Sequence, residues 1–209
     1  MAVIRTERGL DRLVNFSDAT VAIAITLLVL PLVDAASGLG TMSVAEWAGH
    51  HLGALIGFGV SFVVIARFWV IHHRVFEWVV DYSPGIVRTN FLWLAAIVFL
   101  PFTTNLLSTA SPDRADVDGL YIGNMLVVSL AFLLIEVQLV RQPELVREDA
   151  RDQVDLARGA VTPILLAVAL VLAVLLPVVG LFWLFLLLLS LPLERLLHRA
   201  LGRGSQNPA

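Results

Sequence analysis

Asp18 is a carboxylate one helical turn inside an apolar run of membrane length. Residues 12–31 read R-L-V-N-F-S-D-A-T-V-A-I-A-I-T-L-L-V-L-P. A charge at that depth is costly in lipid, so it must face protein or water, and it marks a functional site. Other costly residues fall at the same end of later apolar runs: Arg67, His72 and His73, then Arg88 and Asn90, then Glu136 and Gln138. Long arginine chains can snorkel to an interface, but Asp18 and Asn90 are too short to do so. These residues, with Ser17, predict a hydrogen-bond and charge network around the inner end of the first helix. Arg67 and Arg88 are the candidate partners of Asp18. The network either locks helix packing or takes part in gating.

Metal and catalytic chemistry find little support. His72 and His73 are adjacent, so on a helix they diverge by about 100° and cannot chelate one ion together. No H-E-x-x-H spacing surrounds them, and cysteine is absent. An enzyme would need a nucleophile, a metal set or a paired acid and base. The inner polar cluster is the one candidate, and its arginines suit pairing better than catalysis. No enzyme activity and no cofactor are expected. The net charge of −3 gives no hint of nucleic acid binding.

A chain that is 58% hydrophobic, with mean hydropathy +0.87, is a polytopic membrane protein. Spans of about 20 apolar residues are predicted near 15–33, 47–71, 86–107 and 120–140. The run 160–193 holds no charge and is too long for one ordinary span. Pro177 and Gly180 divide it into a fifth and a sixth, the last ending near Leu201. The first apolar run is too long for a signal peptide and lacks an A-x-A site, so it is read as a retained helix. The predicted organisation is a cytoplasmic segment 1–14, one six-helix transmembrane domain 15–201 and a disordered cytoplasmic tail 202–209. Of the 14 basic residues, all but Arg67 and Arg114 fall on the side of the termini. The positive-inside rule makes that side cytoplasmic, in the inner membrane of a prokaryote.

Ile23, Leu27 and Leu30 stand at i, i+4 and i+7, on one face of the first helix. Such a stripe serves as a packing face or as the lining of a pore. Thr26 lies at its edge. Asp34 falls near the same face if the helix continues past Pro31, where a carboxylate would attract cations to an outer mouth.

The run R-x-x-x-F-S-D followed by A-I-A-I-T-L-L-V-L-P resembles the signature of the transmembrane-protein-175 family, the lysosomal and prokaryotic potassium channels. F-W-V-I-H-H-R-V-F at 68–76 is similar to the end of that family's second helix. Asn90, with L-P-F at 100–102, is similar to its third. The resemblance implies an all-α, six-helix chain assembled as a homotetramer in membrane lipid, with the first helix lining a pore for potassium ions. It implies a constriction at Ile23, Leu27 and Leu30 and a selectivity role for Thr26. It also implies that Arg12, Phe16, Ser17 and Asp18 form a motif packed on the second and third helices. No T-V-G-Y-G filter sequence is present, so an apolar ring would act as a dewetting gate. An ion-coupled secondary transporter and a non-transporting membrane assembly protein remain alternatives, although no internal repeat of the kind transporters carry is evident.

Overall fold

A computed structural model describes residues 7–110 and 114–176, together with 183–184 and 186–187. The described residues form helices α1 (Glu7–Leu27), α2 (Leu30–Ala36), α3 (Val44–His50), α4 (Leu52–Phe76), α5 (Pro84–Thr109), α6 (Ala115–Arg141), α7 (Leu156–Gly159) and α8 (Val161–Leu175). Short 3-10 turns at Pro143–Leu145 and Glu148–Gln153 join α6 to α7. No strand occurs among the described residues; Val79 and Val146 form one isolated bridge. Five segments are long and apolar enough to cross a membrane: Arg8–Ala36, Leu52–Phe76, Pro84–Thr109, Ala115–Arg141 and Leu156–Leu175. The predicted sixth span, apart from 183–184 and 186–187, its dividing residues Pro177 and Gly180, and the tail 202–209 lie outside the described residues.

The first span is two helices. Pro31 has no N–H and cannot extend the hydrogen-bond ladder back to Leu27. Just before it the chain tightens, with Leu28 N–H on Ile25 O and Val29 N–H on Thr26 O, both at 3.3 Å. Helix α2 then starts with Pro31 in its first turn, where a missing donor costs nothing. The span beginning near 47 is also divided. Helix α3 is a separate short segment started by a reciprocal capping box. Ser43 N–H donates to Glu46 Oε2 at 2.8 Å, and Glu46 N–H donates to Ser43 Oγ at 3.3 Å. The bond from the Ser43 backbone holds the exposed Glu46 carboxyl below its ordinary pKa.

Helix α6 is the centre of the bundle, packed between α5 and α8, with α4 and α1 against α5. Trp93, Ile97 and Leu100 of α5 and Tyr121, Met125 and Ile135 of α6 are almost wholly enclosed. Lipid is as apolar as leucine, so close packing and interhelical hydrogen bonds hold these helices together. Small residues allow that closeness. A Cβ on Gly85 would collide with Gln138 Oε1, and one on Gly159 with Glu136 Oε2. The α4–α5 turn is clipped to the α6–α7 connector. Val80 N–H donates to Leu145 O at 2.9 Å, and Arg147 N–H donates to Trp78 O at 2.8 Å.

Candidate functional site

Helix α1 has two faces of opposite character. Leu10, Leu13, Ser17, Val21, Ala24 and Leu28 recur every three or four residues and are all buried. The small Ser17 and Ala24 let α1 lie close to its neighbours α4 and α5. The other face is exposed among the described residues. Ile23 is 59% exposed, Leu27 37% and Leu30 51%. Thr26 and Asp34 are exposed beside them. The Thr26 hydroxyl donates to Ile23 O at 2.7 Å, so its hydrogen is committed inward and its lone pairs remain as acceptors. Helix α2 continues beyond Pro31 far enough to include Asp34.

The buried face is tied down by a directed relay. Ser17 Oγ donates its one hydrogen to Leu13 O at 2.8 Å. It must therefore accept from Asn90, whose Nδ2 lies 2.8 Å away. Asn90 Oδ1 is then left to accept from His72 Nε2, also at 2.8 Å. This fixes the tautomer: His72 carries its proton on Nε2, and Nδ1 is buried with no partner. The His72 ring is held in a stack, 4.2 Å from both Phe76 and Trp93. Ser17, Asn90 and His72 are all buried. Three helices thus share one polar chain on the buried face of α1.

Asp18 has a partner outside the predicted arginines. Trp69 Nε1 donates to its Oδ1 at 2.9 Å. The exposed Arg88 turns back on its own helix, Nε to Pro84 O at 3.1 Å. His73 supports the Asp18 contact indirectly, stacking on Trp69 at 5.2 Å and meeting Glu77 at 3.3 Å. Phe16 is exposed and its ring lies 5.7 Å from Phe91. Arg12 borders the same open hollow as Phe16 and Phe91 without joining the relay. The structure therefore brings together Ser17, His72 and Asn90 directly, and Asp18 and His73 through Trp69.

A second polar knot has no counterpart in the sequence reading. Ser61 Oγ lies 2.7 Å from Thr104 Oγ1 and 2.9 Å from Tyr121 Oη, joining α4, α5 and α6. Asn124 Nδ2 donates to Ala96 O at 3.1 Å, and Gln138 Nε2 to Thr89 Oγ1 at 2.8 Å. The described residues contain no group of three His, Cys, Asp or Glu side chains able to hold a metal.

Trp69 makes a charge-assisted bond, so Trp69→Phe is expected to lower stability by about 2 kcal/mol. Asp18→Asn keeps an acceptor for the indole and is expected to stay within about 1 kcal/mol of wild type. Thermal unfolding of the purified protein in detergent checks both. A reversed order would mean that the charge of Asp18, and not its oxygen, is what the fold needs.

Residues 12–101 match the family described as endosomal/lysosomal potassium channel TMEM175. A potassium channel of Streptomyces collinus is 33% identical over 125 residues, covering 57% of this chain and 58% of that protein. A potassium channel of Chamaesiphon minutus is 32% identical over 129 residues, covering 58% of this chain and 61% of that protein. The match thus spans less than two thirds of these relatives. The crystal structure of a lysosomal potassium-selective channel TMEM175 homolog from Chamaesiphon minutus superimposes with TM-score 0.65 and 26% identity. It covers 88% of this chain and 98% of that one. A variant of the potassium channel MtTMEM175 shares the fold, with TM-score 0.60 at 15% identity over 97% of this chain and 99% of that one.

Proposed function

We propose that this TMEM175 relative is a potassium-permeable cation channel, built from four copies in the inner membrane of a prokaryote with both termini cytoplasmic. The observation that carries the proposal is the unpartnered face of α1. A face turned to lipid would be uniformly apolar. This one sets Thr26 and Asp34 among Ile23, Leu27 and Leu30, and all five are exposed. Four such faces meeting on an axis would enclose apolar rings, with hydroxyls beside them and carboxylates at the outer end.

Each element then has a physical task. The apolar rings strip no hydration shell; they exclude water when narrow and pass hydrated ions when dilated. The carboxylates of Asp34 raise the local cation concentration at the mouth. The Thr26 oxygens offer a ring of acceptors, because their hydrogens already bond Ile23 O. The relay through Ser17, Asn90 and His72 anchors the opposite face, so the pore face keeps its orientation. Nothing in this scheme requires a cofactor or a catalytic residue, so no enzyme activity is assigned; potassium is the permeant ion.

Purified protein in liposomes, loaded with potassium salt and set against a gradient, tests the proposal. Potassium efflux above protein-free vesicles is the expected result. Its absence from folded tetramers would remove the channel reading in favour of a non-conducting assembly. Thr26→Ala deletes the hydroxyl ring and is expected to reduce potassium-over-sodium preference about threefold, worth roughly 0.7 kcal/mol. Reversal potentials under bi-ionic conditions read this directly. An unchanged value would remove Thr26 from the selectivity mechanism.

A further inference from the structure

The outer half of the first span is lightly held. Helix α2 follows the break before Pro31 and rests against α4 without burying any of its own residues. Its connection to α3 includes Gly38 and a turn at Gly40 with φ +52°, a backbone conformation that favours glycine. A link of that kind does not fix a direction for the helix before it. Yet Leu30 and Asp34, two of the five residues of the exposed face, belong to α2. Something other than burial has to set where they stand.

Trp47 of α3 supplies a tie. Its Nε1–H donates to Ala35 O at 3.0 Å, near the end of α2. Helix ends leave carbonyls short of intrahelical donors, and Ala35 O takes the indole together with Gly38 N at 3.2 Å. Among the described residues, no other side-chain hydrogen bond joins α2 to another helix. Trp47 is itself clamped. Its ring stacks on His51, with centroids 4.8 Å apart and planes 24° from parallel. His51 Nδ1 donates to Trp47 O at 2.9 Å, the direction that a carbonyl acceptor dictates. His51 stands directly before α4. The indole thus reaches α2 from a base fixed at the start of a long helix.

We infer that Trp47 is a positioning residue of the outer mouth: its indole N–H holds α2 to α3 and so sets where Asp34 stands. The consequence for ions rests on the pore reading proposed above; the hold on α2 does not. Helix α1 is oriented by its buried face and by the relay through Ser17, Asn90 and His72. Helix α2 lies beyond the break and has neither. Pro31 interrupts the hydrogen-bond ladder, so α2 can change direction there without disturbing the packing of α1. With the indole bond lost, Asp34 spreads over more positions, and its carboxylate draws fewer cations to the mouth.

Hydrogen–deuterium exchange of the full chain in detergent, read together with potassium flux from vesicles, tests this. Trp47→Phe keeps an aromatic ring on His51 and removes the donor. It is expected to speed amide exchange in α2 about fivefold, as the loss of one neutral hydrogen bond implies, and to leave α1 and α6 unchanged. Asp34→Asn is expected to leave exchange as in wild type. At low ionic strength, where carboxylate attraction is least screened, each single variant is expected to lower potassium flux about threefold. The double variant W47F/D34N is expected to fall no further than either alone, because both changes act through the same carboxylate. A general loss of stability would not produce that ceiling. Unchanged exchange in α2, an equal rise in every helix, or flux losses that multiply in the double variant would each overturn the assignment. Vesicles that pass no potassium would remove the channel reading, while the exchange rates alone would still uphold or overturn the hold of Trp47 on α2.

Discussion

Ile23→Asn is expected to raise potassium efflux from proteoliposomes on the order of tenfold at equal protein density. Ile23 is the most exposed residue of the apolar stripe on the first span, 59% exposed among the described residues. In a pore of four such faces, one substitution replaces four branched alkyl groups at a single level with four amides. An alkyl ring offers water no hydrogen bonds, so a narrow ring stays dry and an ion meets a desolvation barrier. Amides hold water at that level and lower the barrier. A tenfold rise needs only about 1.4 kcal/mol off that barrier, a small part of the cost of dehydrating an ion. The exposed position also makes the variant tolerable for folding, because no packed neighbour is lost. Leu27→Asn and Leu30→Asn should act in the same direction. Val21→Asn faces the buried side of the same helix. It is expected to damage folding and to add no current. Equal currents from wild type and Ile23→Asn would mean that the ring does not control passage. A gain from Val21→Asn would mean that the pore face has been assigned to the wrong side of α1.

The broad outline of this chain was legible in its sequence because a membrane imposes simple rules. Four predicted spans coincide with helices, and a fifth runs over Leu156–Leu175. Pro31 was readable as a break, but not the outcome that helix resumes as far as Ala36 and carries Asp34 with it. Asp18 and Asn90 stood out because their burial is costly, and both are engaged. Arg88 is long enough to reach its own helix backbone, so charge complementarity alone does not choose its partner. Trp69 was missed because tryptophan counts as apolar in any hydropathy sum, while its single N–H is what Asp18 uses. The Ser61–Thr104–Tyr121 knot was missed likewise, because hydroxyls barely interrupt an apolar run.

Asn90→Leu is expected to cost about 3 kcal/mol, read as a fall in the thermal midpoint of the folded protein in detergent. Leucine has the branched skeleton of asparagine and slightly more volume, so the loss does not come from a cavity. What it removes is both ends of a bridge: the acceptor of His72 Nε2 and the donor to Ser17 Oγ. Ser17 keeps its bond to Leu13 O, so the greater penalty falls on His72. Its Nε2–H is left buried with no acceptor, beside an Nδ1 that already lacks a partner. A stranded buried donor costs about 1–3 kcal/mol, and the lost bonds add to that. His72→Phe in the Asn90→Leu background should then recover about 1–2 kcal/mol, because a phenyl ring suits the stack on Phe76 and Trp93 and carries no donor. Strictly additive losses in this double-mutant cycle would show that the two side chains do not depend on each other. The predicted rescue of stability should leave a functional defect behind. With the relay gone, α1 loses its directional tie to α5 and keeps only the Trp69–Asp18 bond to α4, a single pivot about which it can rotate. Restored stability with reduced potassium flux would therefore separate the relay's two effects, holding the bundle together and setting which face of α1 meets the ion.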